Sequence, residues 1–232
     1  VKIENIEVYG FRRALFGMRN PFESWHKSDS KFASYYIDRL DYININHKVW
    51  NGNIDVPELP FIGPEDMKLA CKLIKAGPEH RKFMRQIMIW FDITIPIYVW
   101  SEKDTYCIGK VRNSCSTMHT LGLRDLAQND FELPIKNETL DDLNALGVQF
   151  REARLIKDTA AKNEIRRKYK NALPSGFLQK STYMMSYELA LSMYFQRRNH
   201  RLPEWNENNP NSICSFILTL PYMKEFVEAK EG

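Results

Sequence analysis

A mixed α+β fold is the expectation for this 232-residue chain, and three features predict it. The first residues, Ile3 to Tyr9, alternate apolar and polar as a half-buried strand does. Two stretches, from Pro64 to about Ala76 and from Thr139 to Asn171, carry apolar residues at helical spacing. Between them lies an apolar run, Ile87 to Trp100, too short to span a bilayer and interrupted by Asp92 and Pro96. The length fits one domain, residues 1–232, with ample room for a core.

Composition narrows the class. Apolar residues make up 44% and charged residues 27%, ordinary for a globular protein. The 33 Lys and Arg against 29 Asp and Glu leave a net charge of +4, enough to help hold a phosphate but well short of a dedicated nucleic-acid binder. The four cysteines, Cys71, Cys107, Cys115 and Cys214, form no CxxC pair and read as free thiols in a reducing compartment. Cys107 and Cys115 could also meet across a hairpin. No signal segment is legible, so the expected location is the cytoplasm.

Taken in order, the strand at Ile3 to Tyr9 ends at Gly10, and Arg12 to Met18 suits a short helix. Asn20-Pro21 breaks the chain. Glu23 to Ser30 is polar, with Trp25 and His26 among charges, and reads as a surface loop, a pattern that ligand-contacting loops share. Tyr36 to Trp50 shows no clean period, and Asn51 to Pro60 is turn-rich. Gly63-Pro64-Glu65-Asp66 is a helix start, with Pro in the first turn and acids at the positive end of the dipole. That helix should bury Met67, Leu69, Ala70, Leu73 and Ile74 before Gly77-Pro78 stops it. Met84 to Ile93 fits a buried strand or a buried helix equally well. A break at Pro96 and a helical turn follow, then a strand from Tyr106 to Val111. The Thr139 to Asn171 helix is expected to start with a capping box from Thr139 and Asp142, with Gly147 as a place where it could be interrupted. Further helices are predicted over Tyr183 to Arg198 and Leu218 to Glu228.

Three clusters could carry chemistry. Asn113, Ser114, Ser116, Thr117 and His119 lie just beyond the Tyr106 to Val111 strand, with Lys110 and Arg112 beside them. Amides and hydroxyls at a helix start can hold a phosphate, and they can equally form an ordinary cap. Arg197, Arg198, His200 and Arg201, with Glu204, end a helix, where cations either bind an anion or complement the dipole. His80 with Arg81, Lys82 and Arg85 is a third basic group, His80 being an acid/base candidate or a capping residue. The basic residues from Arg151 to Lys170 could meet nucleic acid, but they alternate with Glu152, Asp158 and Glu164, the pattern of a solvated helix face. No metal-ligand spacing, Walker loop, G-x-S-x-G or G-x-G-x-x-G is present.

RQIMIWFDITIPIYVW followed by YCIGKVRNSCSTMH resembles the flavin-dependent thymidylate synthases, the ThyX family. That family carries a strand, a Pro-initiated helix and then R-H-R-x-x-S-x-N-E-x-S-x-R-Y. Its Asn falls on Asn113 and its second Ser on Ser116. Leu173-Pro174, Thr182 and SYELALSMYFQR resemble a second family block, a helix of pattern N-x-R-x-L-x-N-x-x-x-x-R whose last Arg falls on Arg197. The two blocks cover about 80 residues. GMRNP, KSDS, IKAGPEHRKF and the NS-x-STMH block resemble phage and prophage proteins, which would place the chain in a host cytoplasm.

The resemblance implies a ThyX-like fold, a curved mixed or antiparallel sheet flanked by long helices, assembled as a homotetramer. It implies a pyrimidine nucleotide as ligand, FAD as cofactor and a methyl transfer as the reaction. On that reading Arg112, Asn113, Ser114, Ser116, His119 and Arg197 hold the nucleotide, and His80 and Tyr106 lie near the cofactor. The family's R-H-R falls on Tyr106, Cys107 and Ile108, and its Glu on Ser114. In the C-terminal helix its Asn and first Arg fall on Ser186 and Glu188. The chain is therefore read as a nucleotide-binding relative. Either it is a divergent enzyme acting on a pyrimidine nucleotide, or it is a non-catalytic protein that uses the fold to bind a nucleotide or a protein partner.

Overall fold

The structure is a computed structural model that describes residues 1–34, 54–55 and 58–232. The expectation for Tyr36 to Trp50 lies outside these residues. Two compact units are present. One comprises Val1–Ile93, Cys107–Arg112 and Thr182–Gly232, the other Thr94–Tyr106 and Asn113–Ser181.

Strand β1 (Lys2–Tyr9) buries Ile6 and Val8 on one face, as its alternation predicts. Gly10 ends it at φ 99, with the Gln86 carbonyl so close that a Cβ would lie 2.2 Å from the oxygen. Helix α1 (Phe11–Gly17) then buries Phe11, Ala14 and Leu15. Strands β2 (Lys31–Ser34) and β4 (Glu58–Phe61) pair antiparallel, while β3 (Ile54–Asp55) pairs parallel with β1.

Helix α2 (Pro64–Ala76) starts and stops where its Pro and Gly signals place it. Its buried face is narrower than expected: Ala70 and Ile74 are buried, but Met67, Leu69 and Leu73 are only half-buried. Asp66 takes the remaining core position, fully buried against Arg19. An acid placed by the sequence at the positive end of the helix dipole is also half of an internal ion pair.

The ambiguous apolar run is a strand. β5 (Met88–Pro96) buries Ile89, Phe91, Ile93 and Ile95, a period of two that no helix produces. Asp92 sits on the other face and accepts from Asn5 Nδ2 at 2.9 Å and Thr182 Oγ1 at 2.6 Å, which is how a carboxylate fits inside an apolar run. Pro96 caps α3 (Ile97–Lys103). β6 is Lys110–Ser114, displaced towards the C-terminus from the predicted Tyr106 to Val111. β7 (Leu178–Ser186) replaces the predicted start of a helix at Tyr183. Tyr183 and Met185 are buried at alternate positions, and Phe91 lies against Tyr183 at 5.6 Å. The five-stranded sheet has the order β3-β1-β5-β7-β6. Backbone bonds join Tyr187 to Ile87 and Ile97 to Phe177, so β5 and β7 run antiparallel; bonds joining Ser186 to Gly109 and Cys115 to Lys180 give β7 and β6 the same relation.

In the second unit the predicted long helix is two: α5 (Asn137–Leu155) and α6 (Thr159–Ala172), after the four-residue α4 (Thr117–Thr120). The break is not at Gly147, which is buried within α5, but at Lys157, with φ 59. Asp158 then caps α6 by accepting from Ala161 N at 3.0 Å. The expected capping box fails because Thr139 already lies inside the first turn of α5, whose N-cap is Lys136. The helices enclose Leu121, Leu126, Phe131, Leu143 and Tyr169. Arg151 reaches back to the Gly122 carbonyl and Asp125, and Lys168 pairs with Glu164, so those basic residues serve the helix surface.

The C-terminal helices are α7 (Tyr187–Arg197), α8 (Ile213–Thr219) and α9 (Met223–Glu231). The single helix predicted over Leu218 to Glu228 is split at Pro221 and at Tyr222, with φ 55. All four cysteines are free thiols. No helix among the described residues is long and apolar enough to cross a membrane, and no group of three or more His, Cys, Asp and Glu among them is placed to hold a metal ion.

Candidate functional site

The head of α7 is built by a close backbone contact. Ser186 ends β7, caps α7 by accepting from Leu189 N at 3.2 Å, and donates its own N–H to the Gly109 carbonyl at 3.0 Å. Gly109 has φ 76, and a Cβ there would lie 3.1 Å from Ser186 Oγ. Glycine satisfies both the left-handed backbone and the near contact.

Beside this contact is a cavity of about 390 Å³, within the first unit. Arg85 and Met88 line it from the approach to β5, Ile108 and Gly109 from the approach to β6. Ser186, Glu188, Leu189 and Ser192 line it from the head and first turns of α7. An apolar lining with a few polar groups, at this size, suits a small organic ligand.

The electrostatics centre on Glu188. Both of its carboxylate oxygens accept from Arg81 Nε, at 3.0 and 3.1 Å. The pair is mostly enclosed, with side chains 15% and 9% exposed. Lys230 stands near: burial pulls its pKa down, the Arg81 charge adds to that, and Glu188 opposes it. Its ammonium lies 4.1 Å from the centre of the Phe195 ring. Arg85 donates to the Pro78 carbonyl at 3.0 Å, which fixes one side of the cavity wall.

The residues expected to hold a nucleotide lie on several elements. Arg112, Asn113 and Ser114 are on β6, not beyond it, and the two last are exposed. Ser116 occupies the N-cap position of α4, but its hydroxyl makes no cap bond; its carbonyl accepts from His119 N and Thr120 N, both at 3.0 Å. His119 is exposed. With only four residues, α4 lacks the aligned amides that make a longer helix start an anion site. Arg197 ends α7, roughly 13 Å along the axis from Glu188. Its guanidinium lies over Trp205 at 5.2 Å and its Nη1 is 3.1 Å from His200 Nε2. His80 is exposed, 3.8 Å from the Glu79 carboxylate, and Tyr106 follows α3 with its N–H directed to the Lys103 carbonyl.

Among the residues lining the cavity are Ile108, Ser186 and Glu188, three positions where the chain departs from the residues of the family it resembles. Arg81, which engages Glu188, was grouped with His80 only as part of a basic cluster. The signal available for it was the unusual acid at Glu188, since an enclosed carboxylate requires a cation.

Comparison of the whole structure settles the architecture. Flavin-dependent thymidylate synthase ThyX from Helicobacter pylori, in a structure complexed with FAD and dUMP, superposes with a TM-score of 0.63, covering 98% of this chain and 97% of that one at 13% identity. A second Helicobacter pylori ThyX structure with FAD and dUMP gives the same TM-score at 14% identity, with full coverage of both chains. This is the ThyX fold. No protein-family model matches the chain, and no curated protein matches its sequence. The ThyX likeness is therefore carried by the arrangement of elements, and the residues at the head of α7 have to be read on their own chemistry.

Proposed function

We propose that this chain is a nucleotide-binding protein of the ThyX fold, with its ligand in the cavity at the head of α7. The observation that carries the reading is the make-up of that cavity. It is a ligand-sized, mostly apolar recess, lined by Ile108, Ser186 and Glu188, positions that the sequence resemblance equates with functional positions of the ThyX family. The solved ThyX proteins to which the chain is similar hold FAD and dUMP. A pyrimidine ring would rest against Met88, Ile108 and Leu189, with Ser186 and Ser192 as hydrogen-bonding groups and Arg85 as the cation for a phosphate.

The Arg81–Glu188 pair favours binding without methyl transfer. The resemblance places a cation at position 188, and this chain places an anion there whose oxygens are both engaged. An electron-poor ring activated by a cation would meet a neutralised pair. Flavin fits the residues present poorly. The R-H-R positions are Tyr106, Cys107 and Ile108, and the cavity carries one arginine against a dinucleotide's two phosphates. A homotetramer, as the resemblance implies, is part of the proposal and is read by sedimentation of the purified chain.

The test is titration of the purified protein with dUMP and with FAD, alongside an assay for thymidylate formation with methylenetetrahydrofolate and NADPH. The expected result is saturable dUMP binding that Ser192→Trp abolishes by filling the cavity, a protein without flavin absorbance, and no turnover. No binding of any pyrimidine nucleotide overturns the binding reading. Measured thymidylate formation overturns the non-catalytic one.

A further inference from the structure

A second cavity, of about 320 Å³, lies on the exposed side of α2. Glu65, Lys68, Leu69 and Lys72 line it at the i, i+3, i+4, i+7 spacing of one helix face, and Phe22 and Lys27 close it from the loop after α1. Arg19 also lines it and is 4% exposed.

The arginine is held rigidly. Its Nε donates to Asp66 Oδ1 at 2.6 Å and its Nη1 to the Ser24 carbonyl at 3.4 Å. Asp66 Oδ2 is tied in turn to Ser28 Oγ at 2.7 Å and Ser30 Oγ at 2.5 Å. Arg19 Nη2 is buried and has no hydrogen-bond partner. A buried guanidinium nitrogen needs an acceptor, because it has left water and gained nothing in exchange. The groups beside it are three lysines against the single carboxylate of Glu65. With the Arg19 charge beneath them, the ligand this lining favours is an anion. Phe22, 59% exposed, and Leu69 add an apolar wall that inorganic phosphate alone would leave unused.

We propose that this cavity binds a small phosphorylated ligand with a flat apolar group, the phosphate meeting the ammonium groups of Lys27, Lys68 and Lys72 above the buried charge of Arg19. The proposal is independent of the cavity at the head of α7, which shares no residue with this one.

The experiment titrates the full chain with phenyl phosphate by calorimetry, then repeats the titration with inorganic phosphate as competitor. Lys68→Gln and Lys72→Gln are surface substitutions that leave the fold intact. Saturable binding is expected, weakened about tenfold by each substitution and displaced by inorganic phosphate. Binding unchanged in the Lys68→Gln/Lys72→Gln variant, binding that phosphate does not displace, or no saturable binding overturns the proposal. The same variant keeps every residue of the other cavity, so its dUMP titration reads that site separately.

Discussion

Replacing Asp66 by Asn removes one charge from a fully buried acid while keeping its shape. The wild-type carboxylate is 0% exposed and accepts four hydrogen bonds, from Arg19 Nε, Ser28 Oγ, Ser30 N and Ser30 Oγ. The asparagine oxygen can face Arg19, but its amide nitrogen then meets the Ser30 N–H donor to donor. One backbone bond is lost and a buried guanidinium keeps its charge without a counter-ion. Breaking a buried pair in this way costs about 3–5 kcal/mol, which lowers a urea midpoint by roughly 1–2 M. The pH dependence separates charge from shape. Burial by itself raises the Asp66 pKa, but the bonds from Ser30 and Ser28 and the Arg19 charge outweigh it and hold the value below 3.8. A carboxyl with a depressed folded pKa contributes stability that is complete above its unfolded value and lost as pH falls through the folded one. The gap between wild type and Asp66→Asn is therefore full at pH 7 and narrows below about pH 4. Urea unfolding of both proteins at neutral and acid pH measures it. Equal midpoints at pH 7, or a gap that does not change with pH, would refute the assignment of Asp66 as the charged anchor of Arg19.

Three further outcomes are expected. Glu188→Gln frees the Arg81 cation beside the α7 cavity, so dUMP should bind about tenfold more tightly, at a stability cost of about 1–3 kcal/mol; calorimetry and a urea curve on one sample give both numbers. Gly109→Ala meets a left-handed backbone and the Ser186 hydroxyl at 3.1 Å, and should cost about 1–3 kcal/mol, seen as a lower melting temperature, whereas Gly176→Ala meets nothing within 4 Å and should cost little by steric contact. The Tyr194 phenol, raised to about 12 by burial and by its bond to Glu207, should be absent from a phenolate absorbance titration between pH 9 and 11. Because the folded value is the higher one, its contribution to stability is full below pH 10 and is lost as pH rises through about 12, so Tyr194→Phe flattens that alkaline loss.

Local signals were legible wherever one residue decides the backbone. Gly10, Pro64, Gly77 and Pro96 sit at the element ends they predict, because their restrictions act within a residue or two. Signals that depend on a partner were not. Nothing in Met84 to Ile93 separates strand from helix until β7 lies beside it, and Tyr183 to Ser186 reads as helix until it is paired with β5. The long helix hid its break because Lys157 is an ordinary helix former, and only Asp158 as a cap marks the restart. Within the candidate site the order of difficulty is the same. Glu188 was conspicuous as an acid where a cation was expected, but its partner Arg81 lies 107 residues away.

The sequence alone determined the mixed α+β class and the main glycine and proline boundaries, since these rest on local sterics and residue order. Tertiary structure decided the rest. It made Asp66 an internal anchor and paired Glu188 with Arg81. It also drew Ile108, Ser186 and Ser192 around one cavity, and left Arg19 Nη2 buried without an acceptor. Each of these depends on groups distant in the chain sharing a place shielded from water. There an unmet charge or hydrogen bond is costly, and only the fold brings the partner within reach.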